Sequence, residues 1–238
     1  LNLAYNWILF MDKYPKEATE RFDDANFHIN YCLLFIKRFL KGDVLEVGAG
    51  CGSFTRNYYN NKLKSLTLTE VDKNNLKILK NKFKTISKIK VNNKKLGDIK
   101  KKFDTIIYLH VLEHIKNDKH EIKVAIQKLK THGNLIIMVP AHQKIYSNLD
   151  KAVGHYRRYD IKFFKKNFKS AKKINIKYLD SMGYFLYFLN KIFYKKEVYP
   201  SSLKIFIWDK FFTPITLILD YLSGYKIGKC ILAIYKKN

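Results

Sequence analysis

The sequence predicts an α/β fold on a mostly parallel sheet, and three observations carry that prediction. Short apolar runs that read as buried strands alternate with stretches of helical length and spacing. One such run, Asp43-Val-Leu-Glu-Val, passes directly into a turn with three glycines in five residues. With 238 residues, 47% of them hydrophobic and 15% aromatic, the chain can fill one large core.

Residues 26–41 place apolar side chains at helical spacing and stop at Gly42, a plausible helix terminus. DVLEVGAG reads as a buried strand meeting a turn, SLTLTEVD as a second strand, and NNLKILKNKF as the helix after it. FDTIIYLHVLEHI carries the next strong apolar run, KHEIKVAIQKLK a helix and NLIIMVP another strand. Residues 160–170 read as a helix, AKKINIKYLD as a late strand and KCILAIYKK as the final one. Between the last two lie aromatic, Lys-rich residues, Ser181 to Gly228, longer than a hairpin needs and helical in pattern. The chain is therefore read as one domain over 1–238, with a core at 26–180, an insertion at 181–228 and a final strand at 229–237. The opening LNLAYNWILF is too short to span a bilayer, and Asp209, Lys210 and Asp220 interrupt the apolar stretch from Ile205 to Leu222.

The formal net charge of +26, from 46 Lys and Arg against 20 Asp and Glu, suggests an anionic partner or a lysine-biased composition. Cys32, Cys51 and Cys230 are far apart and follow no metal-ligand spacing, which favours reduced thiols and a cytoplasmic setting.

The turn Glu46-Val-Gly48-Ala-Gly50-Cys-Gly52 lets backbone approach a ligand without Cβ collision, at the strand ends where open α/β sheets bind. A dinucleotide GxGxxG pattern would need glycine where Ser53 stands. Glu70, at the end of the second strand, can accept hydrogen bonds from both hydroxyls of a ribose, and Asp72 competes for that role. LEVGAGCGSFT followed by TEVDKNNLKIL resembles the first two motifs of class I S-adenosylmethionine (SAM)-dependent methyltransferases. The resemblance implies a Rossmann-like seven-stranded sheet with an antiparallel last strand, and SAM as cofactor. It places Gly48, Gly50 and Gly52 beneath the methionine part of SAM, Glu46 near its amino group and Glu70 on its ribose. The place of the adenine-side acid is held by Asn92 and Asn93, with Asp98 a possible substitute; Asn93 is taken as the contact.

Leu109-His110-Val-Leu-Glu113-His114-Ile115 resembles the NVLEHI-type segment of many small-molecule methyltransferases, which implies that His110 lines the SAM pocket. The Asn/Asp-Pro-Pro-aromatic signature of nucleic-acid aminomethylating enzymes is missing here. A ubiquinone-pathway O-methyltransferase family has Glu at the first of these places and can bind a divalent ion. His110 stands there in this chain, so Glu113 and His114 are expected to serve structure, with no metal centre.

The segment Val139-Pro-Ala-His142 through Leu149-Asp150 to Gly154-His155-Tyr156-Arg157-Arg158-Tyr159 resembles a bacterial and archaeal methyltransferase group with a VPAH…LD…GHYRRY signature. Genes of that group often accompany surface-polysaccharide or lipid-linked sugar enzymes. His142 and His155 are candidate bases because imidazole titrates near neutrality, His142 first for its place at the strand end, with Asp150 as orienter. Tyr156, Arg157 and Arg158 are candidate acceptor contacts, since arginine suits bidentate recognition of carboxylate or phosphate; the alternative is a helix-capping or interdomain ion-pair cluster. The expected activity is methyl transfer to a small-molecule or lipid-linked envelope-glycan acceptor at the inner face of the membrane. That location rests on the aromatic, cationic insertion (Tyr184, Phe185, Tyr187, Phe188, Phe193, Phe206, Trp208, Phe211, Phe212). A soluble quinone or small-aromatic O-methyltransferase is the alternative; an RNA methyltransferase or RNA-binding protein, suggested by the charge, ranks below it because no RRM, KH or zinc-knuckle signature supports a nucleic-acid partner.

Overall fold

The computed structural model describes residues 24–165, 168, 170–193 and 201–238. The opening LNLAYNWILF therefore lies outside the described residues, as does the side chain of Phe193.

Seven strands form one sheet: β1 (Asp43–Val47), β2 (Ser65–Thr69), β3 (Ile89–Asn92), β4 (Phe103–Leu109), β5 (Leu129–Pro140), β6 (Ala171–Leu179) and β7 (Cys230–Lys237). Their order is β3-β2-β1-β4-β5-β7-β6, with β7 antiparallel to both neighbours and every other pair parallel. This is the mixed Rossmann-like arrangement that the sequence predicts.

Both faces of the sheet are covered, so the central strands read as continuous apolar runs. Alternate residues serve opposite faces. Val44, Ile107, Ile136, Met138 and Leu232 pack with α1 (Asn26–Ile36), α2 (Ser53–Tyr58) and α3 (Lys73–Phe83). Leu45, Ile106, Tyr108, Ile137 and Ala233 pack on the other face with α4 (Asp118–Lys128) and α6 (Ile161–Lys165). Between β5 and α6 lies the short helix α5 (Asn148–Ala152).

Several elements differ from the sequence reading. The first helix ends at Ile36 and tightens into a 3₁₀ turn, Lys37–Phe39, before Gly42. The edge strand β3 (IKVN) was not legible, being four residues long with only Ile89 buried. Strand β5 begins at Leu129, five residues before the apolar run NLIIMVP, because Leu129 pairs with Phe103 across a register shift.

The insertion contributes α7 (Ser181–Phe193), α8 (Ser202–Ile207), a wide π-type turn (Trp208–Phe212) and α9 (Thr213–Leu222). Asp209 and Asp220, which interrupt the apolar stretch from Ile205 to Leu222, are both buried. Asp209 accepts from the backbone N–H of His28 at 2.8 Å and of Phe27 at 3.3 Å, satisfying free donors in the first turn of α1. Asp220 accepts from the Tyr31 hydroxyl, from the N–H of Asp180 at 2.7 Å and from the N–H of Ser181 at 2.9 Å. The insertion is thus bolted to α1 and to Asp180 at the end of β6 through acids, with Ala25, Ile205 and Trp208 sealing the joint. Its outer side stays exposed: Leu203 67%, Phe206 53%, Phe211 62%, Ile218 63%, Tyr221 73% and Leu222 73%. Among the described residues no helix is long and apolar enough to cross a membrane.

Replacing Asp220 with Ala orphans three donors, two of them buried. The expected loss is about 3 kcal/mol, a fall in Tm of roughly 6–12 °C for a chain of this size, read by calorimetry. Asp220→Asn should recover part of it, and an unchanged Tm in the Ala variant would remove the anchoring role.

Candidate active site

The site forms at the carboxyl ends of β1, β2, β4 and β5. Gly48, Gly50 and Gly52 take positive φ of 66°, 57° and 84°, a region that costs an L-residue roughly 1–2 kcal/mol. The three glycines do different jobs. A Cβ on Gly48 would meet Val111 at 2.8 Å, and one on Gly52 would meet Phe83 at 2.6 Å and Leu79 at 2.9 Å. A Cβ on Gly50 would meet nothing within 4 Å, so the middle glycine borders open space: a cradle that a side chain would fill.

Glu70 holds the turn in place. One carboxylate oxygen accepts from the Gly50 N–H at 2.8 Å and the other from the Asp72 N–H at 2.8 Å. Burial raises its pKa, while these backbone donors pull the other way. Asp72, the competitor, caps α3 by accepting from the Asn75 N–H at 2.8 Å. Below the turn, buried Glu46 accepts from the hydroxyls of Thr55 and Tyr58, both at 2.6 Å. Burial pushes its pKa up to about 7 against the pull of those hydroxyls. At the end of β3, Asn93 is exposed and Asn92 accepts from the Lys94 N–H at 3.0 Å; Asp98 is exposed as well.

The next three strands end alike. His110 follows β4 with φ 58°, His142 stands two residues past β5 with φ 64°, and Asp180 follows β6 with φ 69°. Left-handed backbone at non-glycine residues is uncommon, though His and Asp tolerate it, and it clusters where sites are built. His110 lies 3.7 Å from Glu113 Oε1, with Phe54 of α2 at 6.4 Å between ring centroids. Burial opposes its charge, but Cys230 and Glu113 outweigh that and raise its pKa to about 10. His142 stacks on Tyr178 at 4.9 Å and tilts against Tyr184 at 4.7 Å. Its Nε2 lies 2.9 Å from the Gly228 carbonyl, which can only accept, so Nε2 carries the proton and Nδ1 the lone pair. Burial lowers its pKa despite that bond.

The long segment after β5 is organised by one buried acid. Asp150 accepts from His155 Nδ1 at 2.8 Å, Arg158 Nε at 2.8 Å, the Ser147 N–H at 2.9 Å and the Tyr187 hydroxyl at 3.0 Å. Desolvation is outweighed by His155 and Arg158, which hold its pKa well below the carboxylate range. Arg158 lies over the Tyr187 ring at 4.4 Å, and Arg157 pairs with Asp118 at 2.7 Å while donating to the Lys116 carbonyl at 2.8 Å. Both guanidinium groups thus pair with carboxylates of the protein itself. Tyr156 is 42% exposed and ties its N–H to the Glu113 carbonyl at 2.9 Å.

A family model described as a methyltransferase domain matches residues 22–175. The chain belongs to that family. It is a SAM-dependent methyltransferase, of the class I fold. A search of curated proteins finds no match. Among solved structures, the methyltransferase is similar to N-methyltransferase NodS from Bradyrhizobium japonicum WM9 in complex with S-adenosyl-L-homocysteine: 15% identity, TM-score 0.59, covering 96% of each chain. Coclaurine N-methyltransferase, bound to N-methylheliamine and S-adenosyl-L-homocysteine, gives 12% identity and TM-score 0.60 over 88% of this chain and 72% of that one. An S-adenosylmethionine-dependent methyltransferase from Clostridium acetobutylicum gives 15% identity and TM-score 0.54, covering 99% of each. At these identities the likeness is one of fold.

Two parts of this methyltransferase site escaped the sequence reading. Asp180 is fully buried, pairs with Lys229 Nζ at 3.1 Å and caps α7 through the Gly183 N–H at 2.8 Å. The acid before Ser-Met-Gly at a strand end was its only signal. Tyr187 reads in the sequence as one more insertion aromatic, and its bonds to Asp150 and Ser147 need tertiary structure.

The glycines give a test. Gly50→Ala should cost about 1–2 kcal/mol from backbone strain yet fold, and weaken SAM binding by at least about tenfold in calorimetry because its methyl enters the cradle. Gly52→Ala should instead destabilise by more than that, because Phe83 and Leu79 must shift. Equal SAM affinity in wild type and Gly50→Ala would move the donor elsewhere.

Proposed function

We propose that this enzyme methylates a small-molecule or lipid-linked acceptor, a cell-envelope glycan precursor, at an anionic membrane surface. The observation that carries the methyl-transfer half is the open cradle at Gly50 tied to Glu70: bare backbone that a ligand can approach closely, beside an acid able to accept from a ribose. In this reading the Gly48–Gly52 turn takes the methionine part of SAM, Glu70 its ribose, Glu46 its amino group and Asn93 the adenine side, with His110 lining the pocket. The donor, when bound, supplies a methyl already activated on a sulfonium. The protein's work is to align the acceptor, exclude water and take up a proton if the acceptor atom is OH or NH.

His142 is the base in this reading. Its Nδ1 bears the lone pair, and its lowered pKa keeps the ring neutral at pH 7 and able to receive a proton. Asp150 orients His155, and both hold the loop that bears Tyr156, our choice for an acceptor contact. Arg157 and Arg158 hold that loop too, so an anionic acceptor would have to compete with Asp118 and Asp150 for them.

The membrane half rests on the outer side of the insertion, where Phe206, Phe211, Ile218 and Tyr221 are exposed together in a chain of net charge +26. Exposed aromatics beside lysines suit the headgroup level of anionic bilayers.

His142→Ala or Asn should cut kcat by roughly 10²–10⁴-fold with SAM affinity unchanged. Unchanged transfer in a variant that binds SAM would reject the base. Because burial lowers the pKa of His142, the acidic limb of kcat/KM should fall below pH 6.5, the ordinary imidazole value. In flotation, the enzyme should stay on vesicles containing anionic lipid at low salt and leave at high salt; no retention removes the membrane claim. Labelled SAM with extracted lipids against soluble metabolites then separates the lipid-linked acceptor from a soluble quinone or other small aromatic.

A further inference from the structure

We propose that Glu113, His114 and His155 form a binding site for a divalent transition-metal ion of the zinc type. Glu113 is fully buried, and neither of its carboxylate oxygens has a hydrogen-bond partner. Buried carboxylates are normally paired or coordinate metals. One ligand atom from each of Glu113, His114 and His155 lies within 4.8 Å of the other two.

The histidine chemistry points the same way. His155 Nδ1 sits 2.8 Å from Asp150 Oδ1, so it carries the proton and donates it. The lone pair is then on Nε2, which faces Glu113 Oε1 at 3.8 Å. A carboxylate behind a histidine whose other nitrogen faces a second ligand is the usual support of a metal-bound imidazole. Asp150 is itself fixed by Arg158, Ser147 and Tyr187, so the orientation of His155 is set before any ion arrives. The rings of His114 and His155 meet edge to face at 4.6 Å.

Ligand bonds of about 2.0–2.1 Å in a tetrahedral site put ligand atoms about 3.3 Å apart, so ligand atoms that now lie within 4.8 Å of one another must draw together around the ion. Two imidazoles and one carboxylate suit zinc or cobalt better than magnesium or calcium, which take mainly oxygen. Three protein ligands leave a fourth position for water or an acceptor oxygen.

This departs from the expectation that Glu113 and His114 serve only structure. It also departs in its ligands from the set considered on the sequence. The third member is His155, brought in by the segment after β5. His110 approaches the same Glu113 oxygen at 3.7 Å but falls outside the group. The ion would join the turn after β4 to that segment, beside the existing bond from the Tyr156 N–H to the Glu113 carbonyl.

The test needs no acceptor and no SAM. The full chain, stripped with chelator and dialysed, is titrated with Zn²⁺ by calorimetry and with Co²⁺ by visible absorption. Expected are one ion per chain, the intense bands of a low-coordinate cobalt site, and a Zn²⁺-dependent rise in Tm. Glu113→Gln and His155→Ala should each abolish the cobalt bands. Asp150→Asn should weaken binding by roughly 10–100-fold while the ligands remain. His120→Ala, at an exposed histidine of α4, should bind as wild type does. Should His155→Ala fail to fold, His114→Ala reports on the same site. No binding by the wild-type chain, or equal binding by wild type and Glu113→Gln, would overturn the proposal.

Discussion

Burial of acids organises this protein. Among the described residues nine carboxylates are buried: Asp43, Glu46, Glu70, Glu113, Asp118, Asp150, Asp180, Asp209 and Asp220. A charge removed from water must be paired or hydrogen-bonded, so each of these fixes whatever it touches. Asp43 gathers Lys101 and Lys130 at the amino edge of the sheet, far in sequence from either. Glu46 and Glu70 hold the glycine turn from below and from the side. Asp118 and Asp150 each fix one of two adjacent arginines. Asp209 and Asp220 dock the insertion on α1. Within this set Glu113 is the exception, with neither oxygen hydrogen-bonded and three histidine rings around it.

The sequence was informative where a single local pattern decides the outcome. The runs DVLEV, IIYL and LIIMV are buried on both faces, and burial on both faces is what a continuous apolar run encodes. The glycine turn was legible because only glycine takes φ of 57–84° without strain. The two acids at the end of β2 take different places that spacing does not separate: Glu70 reaches the glycine turn, and Asp72 caps α3.

Less was legible where partners come from far along the chain. Arg157 and Arg158 advertise bidentate recognition by residue type, but nothing local says whether the carboxylate is a ligand's or the protein's own. Tyr187, 37 residues beyond Asp150, completes that acid's shell from inside the insertion. The left-handed backbone at His110, His142 and Asp180 was hidden too, since a non-glycine residue gives no sign of φ in its identity. These three turns redirect the chain at the carboxyl ends of consecutive strands, and they explain how residues from separate motifs share one mouth.

Acid burial also bears on the charge. Nine acids are withdrawn into the protein, whereas Arg158 is the one buried Lys or Arg among the described residues. The surface is therefore poorer in acid than the 20-to-46 composition implies. Pairing with interior acids cancels few cations: Lys101, Lys130, Lys229, Arg157 and Arg158 are the main ones. A lysine-biased composition and an attraction to anionic surfaces are then not rival explanations. However the lysines arose, a fold that hides acids and leaves lysines outside carries a positive field. The insertion adds exposed Phe211, Tyr221 and Leu222, and it is Asp209 and Asp220, buried beneath, that hold this apolar side outward.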